Sequence, residues 1–126
     1  MGFEDLKKRT KNFAHRCVKL AVALPNTTLG RHIQGQLIRC STSVAANYRA
    51  TCVAQTKNVF ISKISIVIEE TDESAFWLEF IIDENLLKRE LVMPLLDEAR
   101  ELTSIFISSR KTAQKNLKVE KLINKQ

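Results

Sequence analysis

Apolar and polar positions along the chain follow a helical period almost from end to end. The strongest pattern lies between Asn58 and Asn85, a stretch with no Gly and no Pro. Phe60, Ile64, Val67, Thr71, Ala75, Leu78 and Ile82 recur at three- and four-residue steps, the spacing of one helix face. A second row, Ile61, Ile68, Ala75 and Ile82, repeats every seven residues, and Ile66, Trp77 and Ile81 widen the arc. One stripe suffices for an ordinary amphipathic helix. The surplus here, Ile66, Ile81, Leu86 and Leu87 with Phe76 or Trp77, predicts contact with several helices and with a neighbouring subunit.

Three further helices follow from the same reading. Phe3, Leu6, Phe13, Cys17, Leu20 and Leu24 form the stripe of a first helix over about 3–24, ended by Pro25. Asn26 and Thr27 are candidate caps for a second, over about 29–54, with the stripe Leu29, Ile33, Leu37, Cys40, Val44, Asn47 or Tyr48, and Thr51. Gly30 and Gly35 weaken its start by about 1 kcal/mol each relative to Ala. Its middle is built of small residues, Cys40 to Ser43 with Ala45 and Ala46, which let helices approach closely. Thr56 caps the long third helix, over about 57–85. A loop over 86–93 leads to Pro94, which suits the first turn of a fourth helix over about 94–115. Residues 119–126 read as a lysine-rich tail, frayed or disordered, behind a domain spanning 1–118. Short connections make neighbours antiparallel, so the predicted fold is an all-α, up-down-up-down four-helix bundle.

Charge sharpens the picture. Residues 1–63 carry eleven Lys and Arg against two acids; residues 64–101 carry three basics against eleven acids; residues 102–126 carry six basics and one acid. Such asymmetry suits complementary subunits, an acidic ligand such as nucleic acid, or both. The candidate phosphate-binding set is Lys7, Lys8, Arg9, Lys11, Arg16, Lys19, Arg31, Arg49 and Lys57. A plain solvated helix face is the competing reading. Aromatic residues are scarce on that face, so binding is expected to be phosphate-driven, weakly sequence-selective and salt-dependent.

Candidate chemistry is sparse. Cys17, Cys40 and Cys52 lack C-x-x-C spacing and read as small buried hydrophobes. A di-iron bundle needs Glu-x-x-His pairs, but Asn12 and Leu29 stand three residues before His15 and His32, so no metal and no cofactor is expected. No phosphate loop or catalytic triad is present, and a non-enzymatic role is expected. The opening residues are charged rather than apolar, and no apolar run approaches the ~18 residues of a membrane span, so a cytoplasmic location is expected. Asn47 and Glu70 both fall on inner faces, which predicts a hydrogen bond between them across the core, with Arg39 pairing Glu70 or Glu73 to fix helix register.

The segment Arg39 to Arg49, RCSTSVAANYR, resembles the R-S-x-x-S-V-A-A-N-Y-R signature of a small bacterial four-helix-bundle family that includes proteins encoded in intervening sequences of 23S ribosomal RNA genes. Phe60 to Lys63, Glu69 to Ser74, Phe76 to Glu79 and Ser104 to Thr112 resemble its later patterns, so the likeness spans roughly residues 3–116. Cys40 departs from the commoner serine, and Ala50 and Thr51 stand where many members carry an acid and a glycine. The resemblance implies an antiparallel bundle assembling as a ring-shaped homopentamer. One relative, the accessory variability determinant of diversity-generating retroelements, implies further partners: nucleic acid and a reverse transcriptase, met through a basic surface. A purely structural oligomer or adaptor is the alternative.

Overall fold

The computed structural model describes residues 2–125 and consists of four α-helices: α1 Phe3–Val22, α2 Thr28–Cys52, α3 Lys57–Asp83 and α4 Arg89–Asn124. No strand occurs among the described residues. Each helix packs on the next in chain order, and α1 closes on α4 through a looser seam. The three short links make neighbours antiparallel. One end of the bundle therefore gathers the start of α1, the end of α2, the start of α3 and the distal part of α4.

Local chemistry sets the boundaries. The Thr27 hydroxyl accepts the Gly30 amide at 3.0 Å, and the Thr56 hydroxyl accepts the Val59 amide at 3.1 Å. Both threonines fill the N-cap role read from the sequence. Gly30 is buried where the chain doubles back: a Cβ there would lie 1.9 Å from the Pro25 carbonyl oxygen. At the end of α3, Asn85 takes a left-handed φ of 52°. Its amide donates to the Ile82 carbonyl and the Leu86 amide to the Ile81 carbonyl, both at 3.0 Å, the double closure of a Schellman motif.

Three boundaries differ most from expectation. Helix α1 stops at Val22, and the amides of Ala23 and Leu24 instead close three-residue turns onto Leu20 and Ala21. Helix α4 starts at Arg89, so Pro94 lies inside it rather than in its first turn. The missing amide there leaves the Glu90 carbonyl without its helical partner. Glu90 and Pro94 are both exposed, so water serves that carbonyl. The lysine-rich tail continues as helix to Asn124, although no residue beyond Phe106 is fully buried.

The core holds Phe13, Cys17, Ile33, Leu37, Cys40, Val44, Ile64, Val67, Leu78, Ile81, Val92, Leu102 and Phe106, all fully buried. The Tyr48 ring lies 5.3 Å from that of Phe106. Ile81, read as part of a surplus outer face, belongs to this core, and Leu86 and Leu87 are half-buried against it. The large apolar residues that remain on the outside of α3 are Val59, Ile66 and Phe76, 40%, 40% and 51% exposed.

Candidate nucleic-acid interface

Helical spacing brings part of the cationic set together. On α1, Lys7, Lys11, Ala14, His15 and Val18 share a face, with Lys8 beside it; on α2, Thr42, Ala45, Ala46 and Arg49 do the same. The two faces enclose a trough of about 690 Å³. Its floor is apolar because the α2 side is Ala45, Ala46 and Thr42, too short to fill the space against Ala14 and Val18. Its rim is Lys7, Lys8, Lys11 and Arg49, at the end of the bundle where α1 begins. Between Asp5 and Glu69 the chain has no carboxylate, so α2 carries none and α1 has only Glu4 and Asp5 in its first turn. Glu4 lies 3.1 Å from Lys7 on the exposed edge.

The other five candidate cations do not line the trough. Arg9 turns into the α1–α4 seam. Its Nε and one Nη donate to the two Glu98 oxygens at 2.8 and 2.7 Å, and Glu101 lies 3.1 Å away. That fork holds the Glu98 carboxyl below the usual carboxylate range and pushes the Arg9 guanidinium higher still. Lys57 pairs with Glu120 of α4. Arg31 donates to the Asn26 side chain at 2.9 Å, and Arg16 and Lys19 lie farther along α1.

The polar network differs from its sequence reading at Asn47. Its side-chain amide donates to the Ser43 carbonyl at 2.9 Å and hydroxyl at 2.8 Å, within α2, and no bond reaches Glu70. The antiparallel register explains this. Cys40 faces Ser74, with Sγ 3.2 Å from the hydroxyl, so seven residues on, Asn47 lies level with Val67, a turn away from Glu70. Arg39 spans α2 and α3 and meets both acids: Glu70 at 3.2 Å, and Glu73. The Trp77 indole donates to the same Glu73 carboxylate at 3.1 Å. Around Trp77 stand Phe76, Phe80 and His32, with ring centroids 4.9, 6.0 and 5.5 Å from it.

Nucleophilic chemistry has little support. Burial pushes the Cys17 thiol up to about 12 and the Cys40 thiol up to about 11, so both stay protonated at neutral pH. Among the described residues, no three His, Cys, Asp or Glu side chains converge as metal ligands, and no helix is long and apolar enough to cross a membrane. A larger cleft of about 860 Å³ opens between the start of α1 and distal α4, lined by Phe3, Leu6, Tyr48, Phe60 and Ile64 among others. Sequence periodicity gave no sign of it, because it arises from the different lengths of α1 and α4. Its walls are mainly apolar or hydroxyl-bearing, with Lys57 and Glu120 already paired, so it gathers no set of free charges.

A family model described as 23S rRNA-intervening sequence protein matches residues 4–108. The chain belongs to that family. A solved structure from Bacteroides thetaiotaomicron, of a protein of unknown function in the S23 ribosomal protein family, is similar at 31% identity and a TM-score of 0.80. The similarity covers 88% of this chain and 99% of that one. No curated protein matches. In this member of the family, the matched span contains the whole trough, and the Arg39–Arg49 segment supplies its α2 wall. Distal α4, from 109 onward, lies outside the match.

Proposed function

We propose that this protein is a non-enzymatic oligomer that binds RNA or DNA by its phosphates along the α1–α2 trough. The observation that carries the reading is the convergence of Lys7, Lys8, Lys11 and Arg49 on one small-residue groove with no carboxylate among its lining. An apolar floor of Ala and Thr lets a sugar-phosphate backbone approach while four cations meet its charges. No Phe, Tyr or Trp lines the trough and His15 is its one ring, so base stacking plays a small part there and affinity comes chiefly from counterion release. Arg9 and Lys57 leave the binding set because each is held by a carboxylate of another helix, whereas Lys7 stays at the rim with its partner Glu4 exposed on its own first turn.

Assembly is the second part of the proposal. The outward Phe76, with Ile66 on the same helix, is the apolar surface a neighbouring copy would cover. The family resemblance favours a closed ring, a homopentamer. The same exposed aromatic stripe favours the alternative, a structural oligomer or an adaptor for another protein such as a reverse transcriptase. Filter-binding titrations with structured RNA and duplex DNA at two salt concentrations separate the readings. Tight binding at low salt that collapses at physiological salt, and is lost in a Lys7, Lys8, Lys11 and Arg49→Gln variant, supports phosphate binding. Flat or absent binding in a stable oligomer supports the structural reading.

A further inference from the structure

Distal α4 adds a second cationic surface. Lys111, Lys118 and Lys125 recur every seven residues, and Lys115 lies between the first two on the same side, so the four line one face of the helix. That face is opposite the row Phe106, Ala113 and Leu117, through which α4 leans on the bundle. All four lysines are exposed, as is Lys121 beside them, and none has a carboxylate partner within ion-pair distance. No acid occurs between Glu101 and Glu120. Glu120 lies on the bundle-facing side and is held by Lys57.

Lysines at three- and four-residue spacing repel one another, which opposes helix formation. The helix dipole favours the lysines of the last turn but not Lys111 and Lys115, and among the described residues none beyond Phe106 is fully buried to compensate the repulsion. The stripe lies at the same end of the bundle as the trough, because α4 ends where α1 begins. It also lies beyond the family-matched span. We infer that distal α4 is a second phosphate-contacting arm, which lays its lysine face along the backbone of a nucleic-acid duplex held at the trough. This rests on the reading of the trough as a phosphate site. Duplex is favoured over single strand because the arm has no aromatic side chain after Phe106 on which a base could stack. Ala113 and Leu117 face the bundle, but Val119, Leu122 and Ile123 are exposed, with Leu122 on the lysine side, so an anionic lipid surface is the competing partner that the vesicle measurement below separates from duplex.

The test is a salt titration of the full-length protein against a random-sequence DNA duplex. It compares wild type, an arm variant with Lys111, Lys115, Lys118 and Lys125→Gln, the same four positions →Arg, and the trough variant. The arm Gln variant is expected to lower the slope of log affinity against log salt by about 3 to 4, one increment for each lost phosphate contact. The Arg variant is expected to keep the wild-type slope. In circular dichroism melts the Arg variant is expected to match the wild type and the Gln variant to keep its helix, slightly more stable because the lysine repulsion is relieved, so a weaker salt slope cannot come from a lost helix. A wild-type slope in the arm Gln variant overturns the inference. So does a loss of retention on anionic vesicles with duplex binding unchanged. A slope lowered by the arm variant but not by the trough variant upholds the arm and removes the trough as the site. No duplex binding by wild type at low salt overturns both.

Discussion

Arg9 and Lys8 are adjacent cations with opposite fates, and one step of helix rotation separates them. Lys8 faces solvent at the trough, whereas Arg9 forks onto Glu98 across the loosest seam of the bundle. Arg9→Met is expected to destabilise the fold by about 1–3 kcal/mol, since it leaves the half-buried Glu98 carboxylate unpaired. Because Arg9 depresses the Glu98 carboxyl, the pair contributes stability above the unfolded carboxylate range near pH ~4.3 and loses it as pH falls through the lower folded value. Urea melts of both proteins should therefore differ at pH 7 and converge under acid. Asn47 makes the converse case. Periodicity left the inward position open between Asn47 and Tyr48; the structure buries Tyr48 and leaves Asn47 half-buried, and which residue of α3 either meets depends on the register between helices, which a single helix's pattern does not contain. The side-chain bonds of Asn47 stay within α2, so Asn47→Leu should shift stability by less than about 1 kcal/mol and leave subunit number unchanged. A large loss in thermal melts would restore a cross-core role.

At the scale of elements, four helices were legible because each has an unbroken apolar row and two have threonine caps ahead of them. What escaped was set by neighbours in space. Gly30 and Gly35 look alike in sequence, two weak points in one helix. In the fold, Gly30 touches the Pro25 carbonyl, and Gly35 has open space where a Cβ would go. Their alanine variants should thus move in opposite directions. Gly35→Ala should stabilise by up to about 1 kcal/mol through helix propensity. Gly30→Ala should destabilise by about 1–3 kcal/mol, because backbone must shift to admit the methyl group. Thermal melts of the two single variants decide it. Pro94 misled for a related reason. Proline tolerates the first turn best, but the carbonyl it orphans in α4 is Glu90, already at the solvent, so the helix starts five residues earlier than the proline suggests. The trough was half legible: the cations were named, yet only the packing of α1 on α2 shows that four of the nine converge.

For the whole molecule, the question is how a modest set of cations would hold a nucleic acid at physiological salt. Four trough charges on one bundle give weak, rapidly exchanging contact, since each phosphate contact is eroded by counterions. Assembly changes the arithmetic. Bundles joined through the α3 aromatic face would present several troughs on one scaffold, and each engagement after the first would be intramolecular. Phe76 is the position to test, because half of its surface is free and it lies outside the fully buried core. Phe76→Asp should leave the single-bundle fold intact, with a melt near that of wild type. It should shift the light-scattering mass from oligomer to monomer. Affinity for a long duplex should then fall by about 100-fold or more, within the range that multivalency supplies. Affinity for a duplex too short to reach two troughs should hardly change, because the cations themselves are untouched. A monomeric variant that keeps full affinity for the long duplex would mean that one bundle carries the whole site. A variant that stays oligomeric would place the subunit contact away from the Phe76, Trp77 and Phe80 stripe.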